Sequence, residues 1–375
     1  MPLSRRNFLR QVGLGAAAAG AVTALPLPES LLFAGEPPRA ARPGGPIVLN
    51  SNENAYGAFP SAHAAMQRAL AECNRYPDDE RFVERVAALH KVEAQQVLAG
   101  CGSGEILKIA ASAFTGPGKK LVQASPTFEA LGAYARSVGA EVVRVPLDKD
   151  SAHDLDAMLA ACGPGTGLVY ICNPNNPTAS LTPRSDLETF LKKLPAHVVV
   201  LMDEAYHHFV DSAEYASFLD RPAESEQMLV ARTFSKVYGL AGARLGYGVA
   251  PRKVMEAMRP HRLFDSGNQM VLHGAMAALD DSAALRAAVE RNARDRQEFQ
   301  RQAGARKVRL IPSQANFVMV HTGRPVREVI AHFRQRNILV GRPFPPMETH
   351  LRVSLGRPEE MQAFWKAWDE MPRVQ

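Results

Sequence analysis

Three apolar runs in the middle of the chain end abruptly in polar residues. Leu168-Val169-Tyr170-Ile171-Cys172 stops at Asn173-Pro174-Asn175-Asn176-Pro177. Val198-Val199-Val200-Leu201-Met202 stops at Asp203-Glu204-Ala205-Tyr206, and Met228-Leu229-Val230-Ala231 runs on to Thr233-Phe234-Ser235-Lys236. Runs without alternation predict strands buried on both faces. The helical patterns between them predict an α/β fold, its large domain built on a mostly parallel central sheet flanked by helices. Ligands in such sheets bind beyond the carboxyl ends of the strands. Asn176, Asp203, Tyr206 and Lys236, far apart in sequence, are therefore expected to face one crevice. Two further strand ends point there. Val97–Gly100 runs into Cys101-Gly102-Ser103-Gly104 and a helical pattern from Glu105 to Phe114, a turn whose free N–H groups suit an anion. Leu121–Ala124 leads to Ser125-Pro126-Thr127-Phe128, which places an aromatic at the same edge or in the core.

Asp281 to Ala305 is charged and rich in Ala and Arg, and reads as one long helix. Strand candidates follow at Asn316–Val320 and Leu351–Leu355. We expect a large domain over 71–280 and a smaller α+β domain over 281–375. An N-terminal arm, 42–70, contributes to the smaller one.

Residues 1–41 read differently. Ser4-Arg5-Arg6-Asn7-Phe8-Leu9-Arg10 precedes an Ala/Gly/Val/Leu run from Val12 to Leu27. A charged segment before a modest apolar stretch is an export signal, and the paired arginines resemble the twin-arginine type, which carries folded proteins to the periplasm. Cleavage after Ala34 or near Ala40-Ala41 fits; a tether left uncleaved is the alternative, although Pro26 and Pro28 make the run a weak span. The segment 1–42 also carries +3 of the formal +6 charge, so the remainder is only mildly basic. No clustered basic run suggests nucleic acid. Contact with the membrane is expected only in passing, during export. Cys73, Cys101, Cys162 and Cys172 lack metal-ligand spacing, and free thiols are expected in a chain folded before export.

Lys236 sits between hydroxyl residues at the end of a buried strand, with Arg244 eight residues on. Desolvation lowers an amine's pKa and makes a lysine a Schiff-base nucleophile. Thr233, Ser235 and Arg244 offer hydroxyl donors and a cation fork for a phosphate. An aldehyde on a phosphorylated ring, as in pyridoxal phosphate, uses both halves. Taken singly, a lysine beside a strand, an aspartate at a strand end or an arginine in a loop has an ordinary structural reading; the concurrence points to chemistry.

The set Asn173-Pro174-Asn175-Asn176-Pro177-Thr178, Asp203-Glu204-Ala205-Tyr206 and Thr233-Phe234-Ser235-Lys236 with Arg244 resembles the fold-type I, class I/II pyridoxal-phosphate-dependent aminotransferases. It is most similar to the histidinol-phosphate aminotransferase subgroup. Asn50-Ser51-Asn52-Glu53-Asn54-Ala55-Tyr56-Gly57, Asn74-Arg75-Tyr76-Pro77-Asp78 and Arg352-Val353-Ser354-Leu355-Gly356 extend the likeness over nearly all of the chain after the signal. The resemblance implies that Lys236 binds the cofactor's aldehyde and then shuttles a proton, that Asp203 faces the pyridine nitrogen, and that Asn176 and Tyr206 hydrogen-bond the phenolic oxygen. It gives the phosphate to Gly102, Ser103, Thr233, Ser235 and Arg244, the ring face to Phe128, and the substrate to Arg352 with Arg342 and Tyr56. Tyr76 would reach the neighbouring subunit's phosphate, which implies a homodimer with shared active sites. The expected reaction moves an amino group from a small-molecule donor, histidinol phosphate or a similar amine or amino acid, to a 2-oxo acid such as 2-oxoglutarate. A lyase or decarboxylase like threonine-phosphate decarboxylase uses near-identical cofactor motifs and stays open, as does, more remotely, a non-enzymatic periplasmic binding protein. Departures from the pattern include Ala55 for proline, Thr178-Ala179 for Thr-Gly, Gly104 for aspartate and an atypical Arg262–Gly267 loop. None falls on Lys236, Asp203, Tyr206, Asn176 or Arg244, so they leave the donor open. An export signal on a chain resembling a cytoplasmic biosynthetic enzyme points the same way, to a relative with altered amine specificity.

Overall fold

The apolar runs form strands in a computed structural model, which describes residues 45–219 and 226–372. The export signal expected at 1–41, with its expected cleavage positions, lies outside the described residues. In chain order the strands are β1 (Ile47–Leu49), β2 (Val97–Gly100), β3 (Lys120–Ser125), β4 (Val142–Pro146), β5 (Thr166–Cys172), β6 (Val199–Asp203), β7 (Met228–Thr233) and β8 (Gly246–Val249), then β9 (Leu310–Ile311), β10 (Phe317–His321), β11 (Ile338–Val340) and β12 (His350–Ser354). A seven-stranded sheet has the order β2-β8-β7-β6-β5-β3-β4. Its members from β7 to β4 are parallel, and β8 runs antiparallel to both β7 and β2. Fold class is thus α/β, with helices flanking a mostly parallel sheet.

Why the central strands lack alternation follows from their cores. Val169, Ile171, Val200, Met202 and Val230 enter one hydrophobic cluster. Their alternate neighbours Leu168, Tyr170, Leu201, Leu229 and Ala231 enter another on the opposite face. Both sets are apolar because helices cover both sides, and each large side chain so buried contributes about 1.5–3 kcal/mol. Register then aligns the strand ends: Cys172 pairs with Asp203, and Asp203 with Ala231. On the other side Gly100 and Thr233 both pair with Gly246. A Cβ on Gly246 would collide with the Ser103 amide and the Arg232 carbonyl, so this position admits no side chain where strand and turn close up.

A third cluster draws Leu49 together with Phe299, Val318, Val320, Phe333, Leu351, Phe364 and Trp365. Phe333 stacks on Phe364 at 4.8 Å. β12, β10 and β9 form its three-stranded sheet, and β1 pairs with β11. The long helix Ser282–Ala305 begins with Asp281 capping the amide of Ala284. Within the expected arm at 42–70, Ile47–Leu49 pairs with β11 and gives Leu49 to this third cluster. Pro60–Ala69 instead packs on the helix Gln269–Asp280 in the main core, where Gly274 leaves room for Met66 and the Ala62 carbonyl. The four cysteines are unpaired. Among the described residues no helix is long and apolar enough to cross a membrane.

Behind the sheet lies a buried polar cluster. Arg232 meets Glu204 at 2.8 Å with side chains 6% and 1% exposed, and Ser217 donates to the same carboxylate at 2.7 Å. Arg232 also donates to His207, whose ring centroid lies 3.5 Å from that of His208, the planes tilted by 43°. Burial, aided by the Arg232 charge, holds both histidines well below the usual imidazole range. Burial lowers His90 and His153 to about 4. These rings stay neutral in the fold and take up protons once unfolded, so the unfolded chain binds more protons below pH ~6.5. Stability is therefore full above that pH and falls as pH drops toward 4, by about 1 kcal/mol per pH unit for each ring. Melting temperatures should hold from about pH 7.5 to about 6.5 and decline from there to about pH 5; a profile flat down to that pH would show that the rings are not buried neutral.

Candidate active site

The aligned strand ends open into a cavity of about 660 Å³. Asn176, Asp203, Tyr206, Thr233, Ser235, Lys236, Arg244, Ser103, Phe128, Arg342 and Arg352 all line it. Gly102 sits behind Ser103, capping the helix Ser103–Phe114 with φ +75°. Any Cβ there would collide with the Arg244 guanidinium, so glycine lets a cation and a helix N-terminus share one spot. Arg244 itself adopts φ +65°, a conformation rare outside glycine, and donates to the Ala241 carbonyl at 2.9 Å and toward the Ser235 hydroxyl at 3.4 Å. Thr233 donates to the Ser235 hydroxyl at 2.9 Å. Amides, two hydroxyls and a guanidinium thus converge where a phosphate fits.

On the floor, Asp203 is 2% exposed. Its carboxylate accepts from the Tyr170 hydroxyl at 2.9 Å and from the Ala205 amide at 3.1 Å. Burial raises its pKa to about 6, against the lowering by those two donors and by Lys236. A buried carboxylate held anionic at pH 7 calls for a cationic partner from the cavity side. Burial likewise lowers Lys236 to about 8, with Arg352 pushing the same way. Its Nζ donates to the Asn52 carbonyl at 3.1 Å and lies 5.4 Å from the Tyr206 ring.

Tyr206 accepts at its hydroxyl from the Asn52 amide at 3.1 Å and from the Asn176 amide at 3.4 Å. Its own proton has no acceptor among the described residues and remains available to the cavity. Arg352 donates to Asn176 at 2.7 Å and to the Asn50 carbonyl at 2.7 Å, while its buried Nε has no partner among the described residues. An unsatisfied buried guanidinium N–H is a costly arrangement unless a ligand completes it. Burial lowers Arg352 to about 10.

Several residues depart from the expected grouping or were not foreseen. Tyr56 lies in a separate, smaller cavity, its hydroxyl 3.1 Å from Asp295 and its ring under Arg291. Burial and the Asp295 carboxylate push it up to about 12. That carboxylate draws the ring toward the long helix and away from the substrate wall. Tyr76 does not line the cavity and is 83% exposed. Asn52, buried in the left-handed region at φ 54°, links Lys236 to Tyr206 through one side chain and one carbonyl. It lies within the Asn50–Gly57 motif, but the motif gave it no role; asparagine is a residue that tolerates this conformation. Arg334 also lines the cavity, one turn after Ile330 on the helix Val326–Gln335, and no motif flagged it. Ala179, where the resemblance expects glycine, takes φ 60°.

Known proteins share this architecture. The family model described as "Aminotransferase class I and II" matches residues 45–367. Histidinol-phosphate aminotransferase of Geobacillus thermodenitrificans is 36% identical over 331 residues, covering 87% of this chain and 90% of its own. Histidinol-phosphate aminotransferase 2 of Pseudomonas fluorescens is 38% identical, with 87% and 88% covered. The structure of histidinol-phosphate aminotransferase from Sinorhizobium meliloti in complex with pyridoxal-5'-phosphate superposes with a TM-score of 0.81 at 25% identity, over 93% of this chain and 98% of that one.

Proposed function

The chain belongs to the class I and II aminotransferases, and from that premise we infer that its amino donor is histidinol phosphate or an amine like it, with 2-oxoglutarate or a similar 2-oxo acid as acceptor. It is a pyridoxal-phosphate-dependent aminotransferase. The observation that carries the donor reading is the wall of arginines, Arg334, Arg342 and Arg352, in the same cavity as Lys236 and Asp203. An anionic substrate end suits that wall, and a neutral amine leaves the buried Arg352 Nε unsatisfied.

The residues present fit the cofactor. Gly102, Ser103, Thr233, Ser235 and Arg244 would hold its phosphate, Asp203 its ring nitrogen, Asn176 and Tyr206 its phenolic oxygen, Phe128 its ring face, and Lys236 its aldehyde. When bound, pyridoxal phosphate supplies the sink for the electron pair left at the substrate's α-carbon. Asp203 keeps its charge at neutral pH because its pKa lies near 6. Lys236, with a pKa near 8, exists partly as the free amine at pH 7.5 and moves the proton off the α-carbon. Asn176 fixes Arg352 for the substrate's anionic end.

A screen of amines and amino acids with 2-oxoglutarate tests the donor. Histidinol phosphate or a close analogue should give the highest kcat/KM; a preference for neutral donors would refute the reading. Release of CO₂ from a phosphorylated amino acid in place of transamination would favour the lyase alternative, which the curated relatives do not support.

Homodimer formation belongs to the same proposal. Tyr76 and Phe264, 83% and 97% exposed, stand on two loops joined by the Arg262–Asp79 ion pair. Exposed aromatics on braced loops suit a protein interface, where Tyr76 would reach the partner's phosphate. Sedimentation showing a monomer at micromolar concentration would exclude it. Export rests on Ser4–Arg10 and the run to Leu27. Residues 1–41 fused to a folded reporter should carry it to the periplasm, and lysines at Arg5 and Arg6 should block that; cytoplasmic retention of the unaltered fusion would exclude it.

A further inference from the structure

The three arginines of the substrate wall are held in three different ways. Arg352 is buried and bonded to Asn176 and the Asn50 carbonyl. Arg342 lies over the Phe344 ring at 4.3 Å and donates to Glu129 at 2.6 Å, with the two side chains 54% and 62% exposed. Arg334 is exposed, and its guanidinium has no partner among the described residues. It shares the cavity face of its helix with Ile330, four positions earlier. Glu129 directly follows Phe128, which lines the cavity from the β3 side, whereas Arg342 follows β11. The Arg342–Glu129 pair therefore crosses the mouth between the central sheet and the small core. Exposed on both sides, it is weak and easily exchanged.

We propose that Glu129 and Arg334 set substrate selectivity by counter-ion exchange: the anionic end of the substrate takes Arg342 from Glu129 and gains Arg334 as a second cation. This rests on the aminotransferase reading of the same cavity. Glu129 opposes every incoming anion. Arg334 offsets that opposition for an end with enough oxygens to engage two guanidiniums, as a phosphate has. A neutral substrate end leaves the Arg342–Glu129 pair closed and gains nothing from Arg334.

Single-turnover half-reactions of the holoenzyme with histidinol phosphate and with histidinol test the exchange in E129Q and R334Q. E129Q should bind the phosphorylated donor about two- to fivefold more tightly, the range of an exposed ion pair. R334Q should bind it about tenfold more weakly, as loss of a charged hydrogen bond does. Histidinol should respond less than twofold in either. Inorganic phosphate as inhibitor should follow the same opposite signs. Equal shifts for both donors, or phosphate inhibition unchanged in R334Q, would overturn the proposal. Should no donor react in the unaltered protein, the functional reading fails, and calorimetry of inorganic phosphate with the three proteins still decides the exchange. A melting temperature kept in each variant separates loss of binding from loss of fold.

Discussion

Lys236→Ala loses transamination by about 10³-fold or more while remaining folded. Among the described residues Lys236 supplies the only amine lining the cavity, and the functional reading gives it the substrate's α-proton as well. Lys236→Arg should fare no better, since a guanidinium keeps its proton and cannot act as nucleophile or base. Pre-steady-state absorbance of each variant with donor alone checks this. Retention of more than a tenth of the unaltered rate in Lys236→Ala would transfer the chemistry to another group. In the unaltered enzyme, kcat/KM should fall below pH ~6 as Asp203, raised to about 6 by burial, takes up a proton.

The second large effect falls on stability. Arg232→Ala strands the Glu204 carboxylate, 1% exposed and still bonded to Ser217 and the Phe218 amide. Removing one partner of a buried pair costs about 3–5 kcal/mol, because the other charge stays desolvated. The double variant Glu204→Leu/Arg232→Met should recover most of that loss. Urea unfolding of the three proteins measures both quantities; a single variant within ~1 kcal/mol of the unaltered chain would mean that water or another group satisfies Glu204. Glu204 immediately follows Asp203, so the double variant also reports whether this pair is needed to hold the strand end on which Asp203 sits.

The cofactor side of the cavity was legible in the sequence because its residues lie at the ends of apolar runs. Asn176 and Lys236 follow, and Asp203 ends, strands whose burial on both faces leaves an unbroken hydrophobic signature. Parallel pairing then fixes their relative height, as the Cys172–Asp203–Ala231 row shows. β8 escaped that reading: its four residues Gly-Tyr-Gly-Val are too short and too glycine-rich to show a strand pattern, yet Gly246 is what lets the anion turn approach β7. The substrate side was less legible. Arg334 reaches the cavity from a helix face, where an arginine looks like any solvated one, and Glu129 matters only through a partner 213 positions away. Tyr56 carried the right motif but was drawn aside by Asp295, a contact between distant segments. Asn52 lay within a recognised motif, but its role depends on a left-handed backbone that sequence patterns do not report.

The cavity joins two bodies of protein with separate hydrophobic cores. Asp203, Lys236, Thr233, Ser235 and Ser103 stand on or beside the seven-stranded sheet, whereas Arg334, Arg342 and Arg352 come from elements of the third cluster. Substitutions in the helix Val326–Gln335 or after β11 can thus exchange one substrate for another without disturbing the residues of the sheet. Divergence among descendants of such a scaffold should accumulate unevenly, with the reaction inherited through one body and the diet revised through the other.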